Sequence, residues 1–305
     1  MSTLASALGE LRRSVSSIEE SGLVQTGVPG VSFFWIGESL PRTPLLYEAG
    51  IVIIGQGRKV GYLGDRRFVY DKDTCLVLGV PVPFECETHA TSLEPMLGVR
   101  LDIDLSVLNR LVSQLDGRLD GQIGTDGADE LPVQAGVAPV RMQGPLLAAA
   151  IRLIQSLADP LDRQVIGVAA VEEILYRVLR GEQGHVLNAL TLRYTPYASI
   201  AQALNRMHTN YQSTLSVEEL ARESAMGVSS FHRAFKAVTG DSPVQYLKKI
   251  RLLKAKGLLV LERRRVEEAA YAVGYASPSQ FSREFKRYFS VPPSAAQTLP
   301  YADMA

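Results

Sequence analysis

Cysteine is scarce in this chain: 305 residues include two, Cys75 and Cys86, beside a single tryptophan, Trp35. Two thiols cannot staple a small secreted scaffold, and they suit a reducing compartment. Long apolar runs are also missing, since nowhere do about 18 apolar residues follow one another as a membrane-spanning helix requires. The first seventeen residues are polar, carry Arg12 and Arg13, and hold no continuous apolar stretch of the kind a secretory signal needs. A cytoplasmic protein without membrane partners is expected. Histidine is rare too: His89, His185, His208 and His232 are scattered, and no His-x-His occurs. Glu85, Glu87 and His89 do alternate on one face of a strand, but three ligands so spaced span about 13 Å, too far to close on one ion. No metal, cofactor or catalytic residue is expected.

Net charge is absent only on average. Residues 1–195 hold 17 lysines and arginines against 23 acidic residues, net −6, whereas residues 196–305 hold 15 against 9, net +6. A basic end beside an acidic body suggests a polyanion partner, because counterions released from nucleic acid drive such binding. With 46% hydrophobic and 21% charged residues, the chain reads as globular, and its length suits two domains.

Residues 25–105 carry short apolar or alternating runs between Gly and Pro: Val31–Ile36, Ile51–Ile54, Val60–Leu63, Arg67–Tyr70, Cys75–Leu78 and Leu97–Ile103. Strands at this spacing predict a sandwich or small barrel, with Gly64-Asp65 as a two-residue hairpin turn. Gly55-Gln56-Gly57 lacks a third glycine in register for a dinucleotide loop and reads as another hairpin. Residues 116–142 lack periodicity and predict a loop with a short strand. A helical stripe follows through Leu146, Leu147, Ala150, Ile151, Ile154 and Leu157, then another through Val165, Val168, Ala169, Ile174, Leu175, Val178 and Leu179. These helices either pack on their own domain or form a dimer seam.

A repeat carries the functional argument. Shifted by 50 positions, Phe231-His232-Arg233-Ala234-Phe235-Lys236 falls on Phe281-Ser282-Arg283-Glu284-Phe285-Lys286, and Pro243 on Pro293. Phenylalanines four apart share one helical face, leaving Arg and Lys to point elsewhere. Ser216-Val217-Glu218-Glu219 and Ser277-Pro278-Ser279-Gln280 each read as a capping box. The pattern, twice over, is helix, tight turn, capped helix with a basic outer face: a helix-turn-helix made in duplicate.

These residues identify a resemblance. Residues 216–293 resemble the DNA-binding domain of the AraC/XylS family of bacterial transcription regulators. The match rests on Leu220-Ala221, the two Phe-x-Arg-x-Phe-Lys runs, Gly240, Ser242-Pro243, Tyr246-Leu247, Arg251, Ala255, Val273-Gly274-Tyr275, Phe289 and Pro292-Pro293. The N-terminal half is similar to the cupin-like sensor region of one branch of that family, most clearly at Gln56-Gly57-Arg58-Lys59 and Tyr62-Leu63-Gly64-Asp65. The resemblance implies an α+β chain: a cupin-like sensing and dimerisation domain over 1–190 (barrel about 25–140, helices about 143–182), then a double helix-turn-helix domain over 196–300. It implies promoter DNA, a small-molecule effector, RNA polymerase and a second copy of the chain as partners, and activation rather than repression. Carried over, Ser229, His232 and Arg233 would face the groove from the first recognition helix, and Ser279, Ser282 and Arg283 from the second. Arg can pair bidentately with guanine, whereas Lys236 and Lys286 suit phosphates.

This chain departs from the family at four places. Ala225 stands where a turn glycine is usual, Gly227 at the usual capping serine, Gly257 inside the linker helix 243–260, and Ser290 at the glycine before the final prolines. For the effector, Trp35, Tyr47, Tyr62, Phe84 and Arg100 are the candidate pocket residues, being aromatic or polar within β-structure. Cys75 and Cys86 could sense oxidants if close in space, but with no evident cationic neighbour they read as buried, inert thiols. Two other readings remain: a regulator whose N-terminal domain only dimerises, and a β-barrel enzyme fused to a DNA anchor.

Overall fold

The computed structural model describes residues 3–15, 19–116, 136–191 and 195–299. Among these described residues ten strands pair antiparallel: β1 Ser21–Gln25, β2 Val31–Ile36, β3 Leu40–Tyr47, β4 Gly50–Gln56, β5 Arg58–Leu63, β6 Arg66–Asp71, β7 Thr74–Leu78, β8 Val82–His89, β9 Met96–Asp102 and β10 Val137–Arg141. Their order is β1-β2-β9-β4-β7-β6-β5-β8-β3, with β10 also on β7. β6 meets β7 through one pair, Asp71↔Thr74. The sheet is thus two ladders joined at a corner, and it curls into a half-barrel. Leu63↔Arg66 closes the β5–β6 hairpin over Gly64, whose φ is +57°.

The turn at Gly55-Gln56-Gly57 is not the hairpin its sequence suggests. β4 pairs with β9 and β7, while β5 pairs with β6 and β8. Gly57, at φ +79°, instead carries the chain from one ladder to the other. A Cβ there would sit 2.9 Å from Met96 Cα, so only glycine makes this crossing without strain.

Around the sheet lie α1 Leu4–Ser14, α2 Leu105–Asp116, α3 Gly144–Ser156, α4 Pro160–Asp162, a π-helical turn Arg163–Gly167, α5 Val168–Leu179 and α6 His185–Asn188. The C-terminal part is all helix: α7 Pro196–Thr209, α8 Val217–Glu223, α9 Val228–Thr239, α10 Pro243–Val260, α11 Val266–Ala272, α12 Pro278–Phe289, then a 3-10 turn Pro293–Thr298. Of the loop expected over 116–142, residues 117–135 lie outside the described residues and the end forms β10.

Strand alternation divides the apolar residues between two cores. Phe33, Trp35, Ile51, Ile53, Cys75 and Val77 pack with residues of α1, α2, α3 and α5. Phe34, Ile36, Val52, Ile54, Leu76 and Leu78 face the other way, into a core that continues through α7 to Phe231, Phe235, Tyr246 and Ile250. The half-barrel and the first helix-turn-helix therefore share one hydrophobic core. A fully buried large apolar side chain contributes about 1.5–3 kcal/mol, against about 0–1 kcal/mol for a surface ion pair. Such a core fixes the two parts relative to each other.

Candidate nucleic-acid interface and effector site

The first helix-turn-helix is α8, a turn, and α9; the second is α11, a turn, and α12. Over the first helices the repeat spacing is 49, with Val217-Glu218-Glu219 falling on Val266-Glu267-Glu268, and only over the second helices does it become 50. The difference is one residue in the turn. Ala225 and Gly274 occupy equivalent left-handed positions, at φ +53° and +88°. Each turn closes with the same long bond, Met226 N–H to the Ala221 carbonyl (2.9 Å) and Tyr275 N–H to the Ala270 carbonyl (3.0 Å). The second chain then takes one extra step, Ala276, before its cap at Ser277.

Capping differs from the reciprocal boxes the sequence suggests. Ser216 Oγ accepts from the Glu219 N–H (3.3 Å), yet its hydroxyl donates to Glu218 (2.6 Å). Ser277 Oγ accepts from the Gln280 N–H (3.3 Å), while the Gln280 amide turns to Glu284 (3.2 Å). In the first unit the Glu219 carboxylate that would close the box faces Arg206 instead (3.8 Å), and in the second Glu284 draws the Gln280 amide away.

α9 buries Phe231, Ala234, Phe235 and Val238, and α12 buries Phe281, Phe285 and Phe289. On the opposite faces Ser229, Arg233, Lys236, Ser279, Arg283 and Lys286 are exposed, with His232 and Ser282 half-buried. Arg233 makes one long bond, to Ser230 Oγ (3.4 Å), and so can swing to a partner. Lys236 and Lys286 lie in the last turns of their helices.

The five candidate pocket residues do not converge. Tyr47 and Phe84 stack at 4.5 Å between ring centroids, inside the core shared with the C-terminal part. Trp35 lies in the other core, its Nε1 donating to the Glu19 carbonyl (3.0 Å) under the Arg12 guanidinium. Tyr62 is only half-buried, donates to Glu87 (2.9 Å) and lies beneath Arg42, which also pairs with Glu85. Arg100 is ion-paired with Asp102 (3.0 Å).

The surroundings of Tyr47 are polar in a way the strand pattern does not reveal. Lys59 is completely buried, and its Nζ donates to Tyr47 Oη (3.0 Å). Tyr47 Oη lies 2.7 Å from Tyr70 Oη, which is 3.3 Å from Cys86 Sγ. These four side chains come from β3, β5, β6 and β8, adjacent strands of one ladder. Gly61, between them, leaves space that the Phe68 ring fills. Burial pushes the Lys59 amine down to about 8, partly opposed by Cys86, and the same burial raises the Cys86 thiol while Lys59 pulls it back. Cys86 thus has the cationic neighbour that the sequence did not reveal, supplied by the adjacent strand. Cys75, in the other core, is pushed up to about 12 by burial.

Residues 27–186 match the family described as AraC-type transcriptional regulator N-terminus, and residues 220–298 match a helix-turn-helix domain. The chain belongs to the AraC-type transcriptional regulators. This AraC-type chain is 27% identical over 191 residues to the thermoregulatory protein LcrF of Yersinia pestis, covering 61% of this chain and 67% of LcrF. It is 36% identical over 92 residues to the transcriptional activator RhaS of Yersinia pestis (strain Pestoides F), covering 30% of this chain and 34% of RhaS. Its fold is that of ToxT from Vibrio cholerae, with TM-score 0.56 at 13% identity over 93% of this chain and 97% of ToxT. No helix among the described residues is long and apolar enough to cross a membrane.

The half-barrel of this AraC-type regulator meets its DNA-binding part through polar contacts as well. Tyr246 Oη, on α10, donates to the Pro81 carbonyl (2.6 Å) and lies 2.7 Å from His208 Nε2. With that hydroxyl proton committed to Pro81, His208 is the donor and carries its proton on Nε2. Burial, reinforced by Lys254, pushes His208 down to about 4, so it is neutral here. Beside them the Gly136 N–H donates to the Val238 carbonyl at the end of α9 (2.9 Å). Tyr47 pairs with Val82, next to Pro81. One strand pairing therefore links the Lys59 cluster to the contact that holds α10.

Proposed function

We propose that this regulator binds promoter DNA through α9 and α12 and is controlled by a small-molecule effector held around Lys59, Tyr47, Tyr70 and Cys86. In this reading the part up to about residue 190 senses and dimerises, residues 196–300 grip DNA, and the protein acts as a cytoplasmic activator that engages RNA polymerase. The observation that carries the effector reading is a donor-rich polar cluster inside the core that also seats the first helix-turn-helix. An amine and two phenols in apolar surroundings complement an acceptor-rich head group, a carboxylate above all, on an apolar body. One structure of ToxT holds an unsaturated fatty acid, which makes long-chain carboxylates the first class to test. A ligand drawing on Lys59 and Tyr47 would shift β3 and β8 at Pro81, and with them α10.

A thermal-melt screen of the full chain against fatty acids, other carboxylates and a wider metabolite panel tests this. A ligand at 100 times its Kd should stabilise by about 2.7 kcal/mol, and Lys59→Met should abolish that shift. A hit indifferent to Lys59→Met moves the site elsewhere; silence across the panel favours an N-terminal part that only dimerises.

For the DNA face, Arg233→Ala or Arg283→Ala should each weaken binding to a selected site by about 1–3 kcal/mol and relax base preference locally. Binding to random and selected duplexes by titration separates the outcomes, since equal weakening on both would make these arginines phosphate contacts instead.

A further inference from the structure

α10 ends at Val260 and α11 begins at Val266. The turn between them carries Arg263, Arg264 and Arg265, all exposed. It is fixed rather than loose: the Leu261 N–H donates to the Gly257 carbonyl (2.9 Å), and the Arg264 N–H donates back to the Leu258 carbonyl (3.1 Å). Arg263 closes it in the left-handed conformation, φ +53°. A helix that ends this way ordinarily has Gly or Asn there, because other L side chains are strained in that region. At Arg263 a cation stands in that position, with its side chain in solvent and no burial to offset the strain. Arg264 reaches Glu262 (2.7 Å), an exposed pairing that a phosphate can displace.

The approach to the first unit lacks this feature. Ser213-Thr214-Leu215-Ser216 leads into α8 without a charge, although both α8 and α11 open with two glutamates. In a helix-turn-helix the first helix crosses the DNA backbone while the second enters the groove. The arginine turn stands at the start of that crossing helix in the second unit only. We propose that Arg263–Arg265 form a phosphate clamp on the DNA backbone beside the second half of the site. It contributes affinity independent of sequence and makes the two units unequal: the second anchors, and the first depends on it for position. Guanidinium suits this role because its fork of donors matches phosphate oxygens two at a time.

The inference rests on the DNA-binding reading above, and salt dependence tests it separately. The full chain is titrated over a salt series against a duplex recovered from a random-sequence pool and against a scrambled duplex of equal length. The Arg263→Ala, Arg264→Ala, Arg265→Ala triple variant should weaken both duplexes in parallel and flatten log K against log salt by about 0.9 for each phosphate no longer neutralised. Arg263→Gly, which relieves the left-handed strain, should raise the melting temperature and still flatten the slope. Arginines serving only the carboxyl end of α10 would change melting and leave the slope alone. An unchanged slope in the folded variants, or weakening confined to the selected duplex, overturns the clamp. Failure of the wild type on both duplexes would overturn the DNA-binding reading itself.

Discussion

Lys59→Met is expected to melt roughly 5 °C above the wild type at pH 7, with the gap closing as the pH rises past about 8. The reason is the cost of keeping an ammonium fully buried. Its folded value of about 8 lies below the ordinary 10.5, and at about 1.4 kcal/mol per pH unit the difference amounts to about 3 kcal/mol. Below about 8 both the folded and unfolded chains hold the proton, so the penalty is constant and fully present. Between about 8 and 10.5 the unfolded chain holds it and the folded chain does not. Stability therefore rises with pH across that window, and above it the penalty is gone. Methionine fills similar volume with no charge and leaves Tyr47 and Tyr70 bonded to each other, so replacement should be stabilising. Melting curves of both proteins from pH 6 to about 11, read as their difference, check the sign and the window. A variant that melts lower at neutral pH would mean that the bond to Tyr47 outweighs the burial of charge. The outcome bears on the proposed effector site, because a buried ammonium that costs stability in the resting fold would recover part of that cost on pairing with a carboxylate.

Lys59 also shows where sequence reading stops. In the run Gln56-Gly57-Arg58-Lys59 nothing but strand parity with Leu63, an inward residue, marks it for burial. Cys86 has the parity of Phe84, so its burial was legible. Its cation was not, because the register that brings β5 against β8 is a tertiary fact. Pocket residues chosen by residue type alone were scattered over both faces of the sheet, since type does not report parity. The two helix-turn-helix units could be read almost to their ends because a repeat, caps and helical period all pointed the same way.

The strands that the sequence pattern hides are equally instructive. β1 and β3 are the two ends of the main strand order, with β10 lying off it on β7. β3 contains Pro41 and Pro44, which read as breakers but are tolerated where one side of a strand needs no partner. α1 is hidden by its polar composition. Only Leu4, Ala7 and Leu8 are buried, and they dock on the second core with Thr3 as cap.

Gly274→Ala is expected to cost about 3 kcal/mol or more, whereas the equivalent change in the first turn, Ala225→Gly, should stabilise by about 0.5–1 kcal/mol. Both residues sit in the left-handed region, where an L side chain costs about 1–2 kcal/mol. At Ala225 that cost is already present, and glycine removes it, less the entropy gained by a freer unfolded chain. At Gly274 a Cβ would also meet the Gln212 carbonyl oxygen at 2.2 Å. That carbonyl cannot retreat, because Arg251 of α10 bonds the carbonyls on either side of it, Tyr211 at 2.7 Å and Ser213 at 2.9 Å. The clash must be absorbed by the turn, which sets the angle at which α12 leaves α11. Thermal melts give the stability of each variant. Gly274→Ala should further lose base discrimination at the half-site that α12 is proposed to read through Ser279, Ser282 and Arg283, while keeping that of the first unit. Uniform loss over the whole site would instead show that α10 carries distortion from one unit to the other, and that the units read DNA as one rigid body.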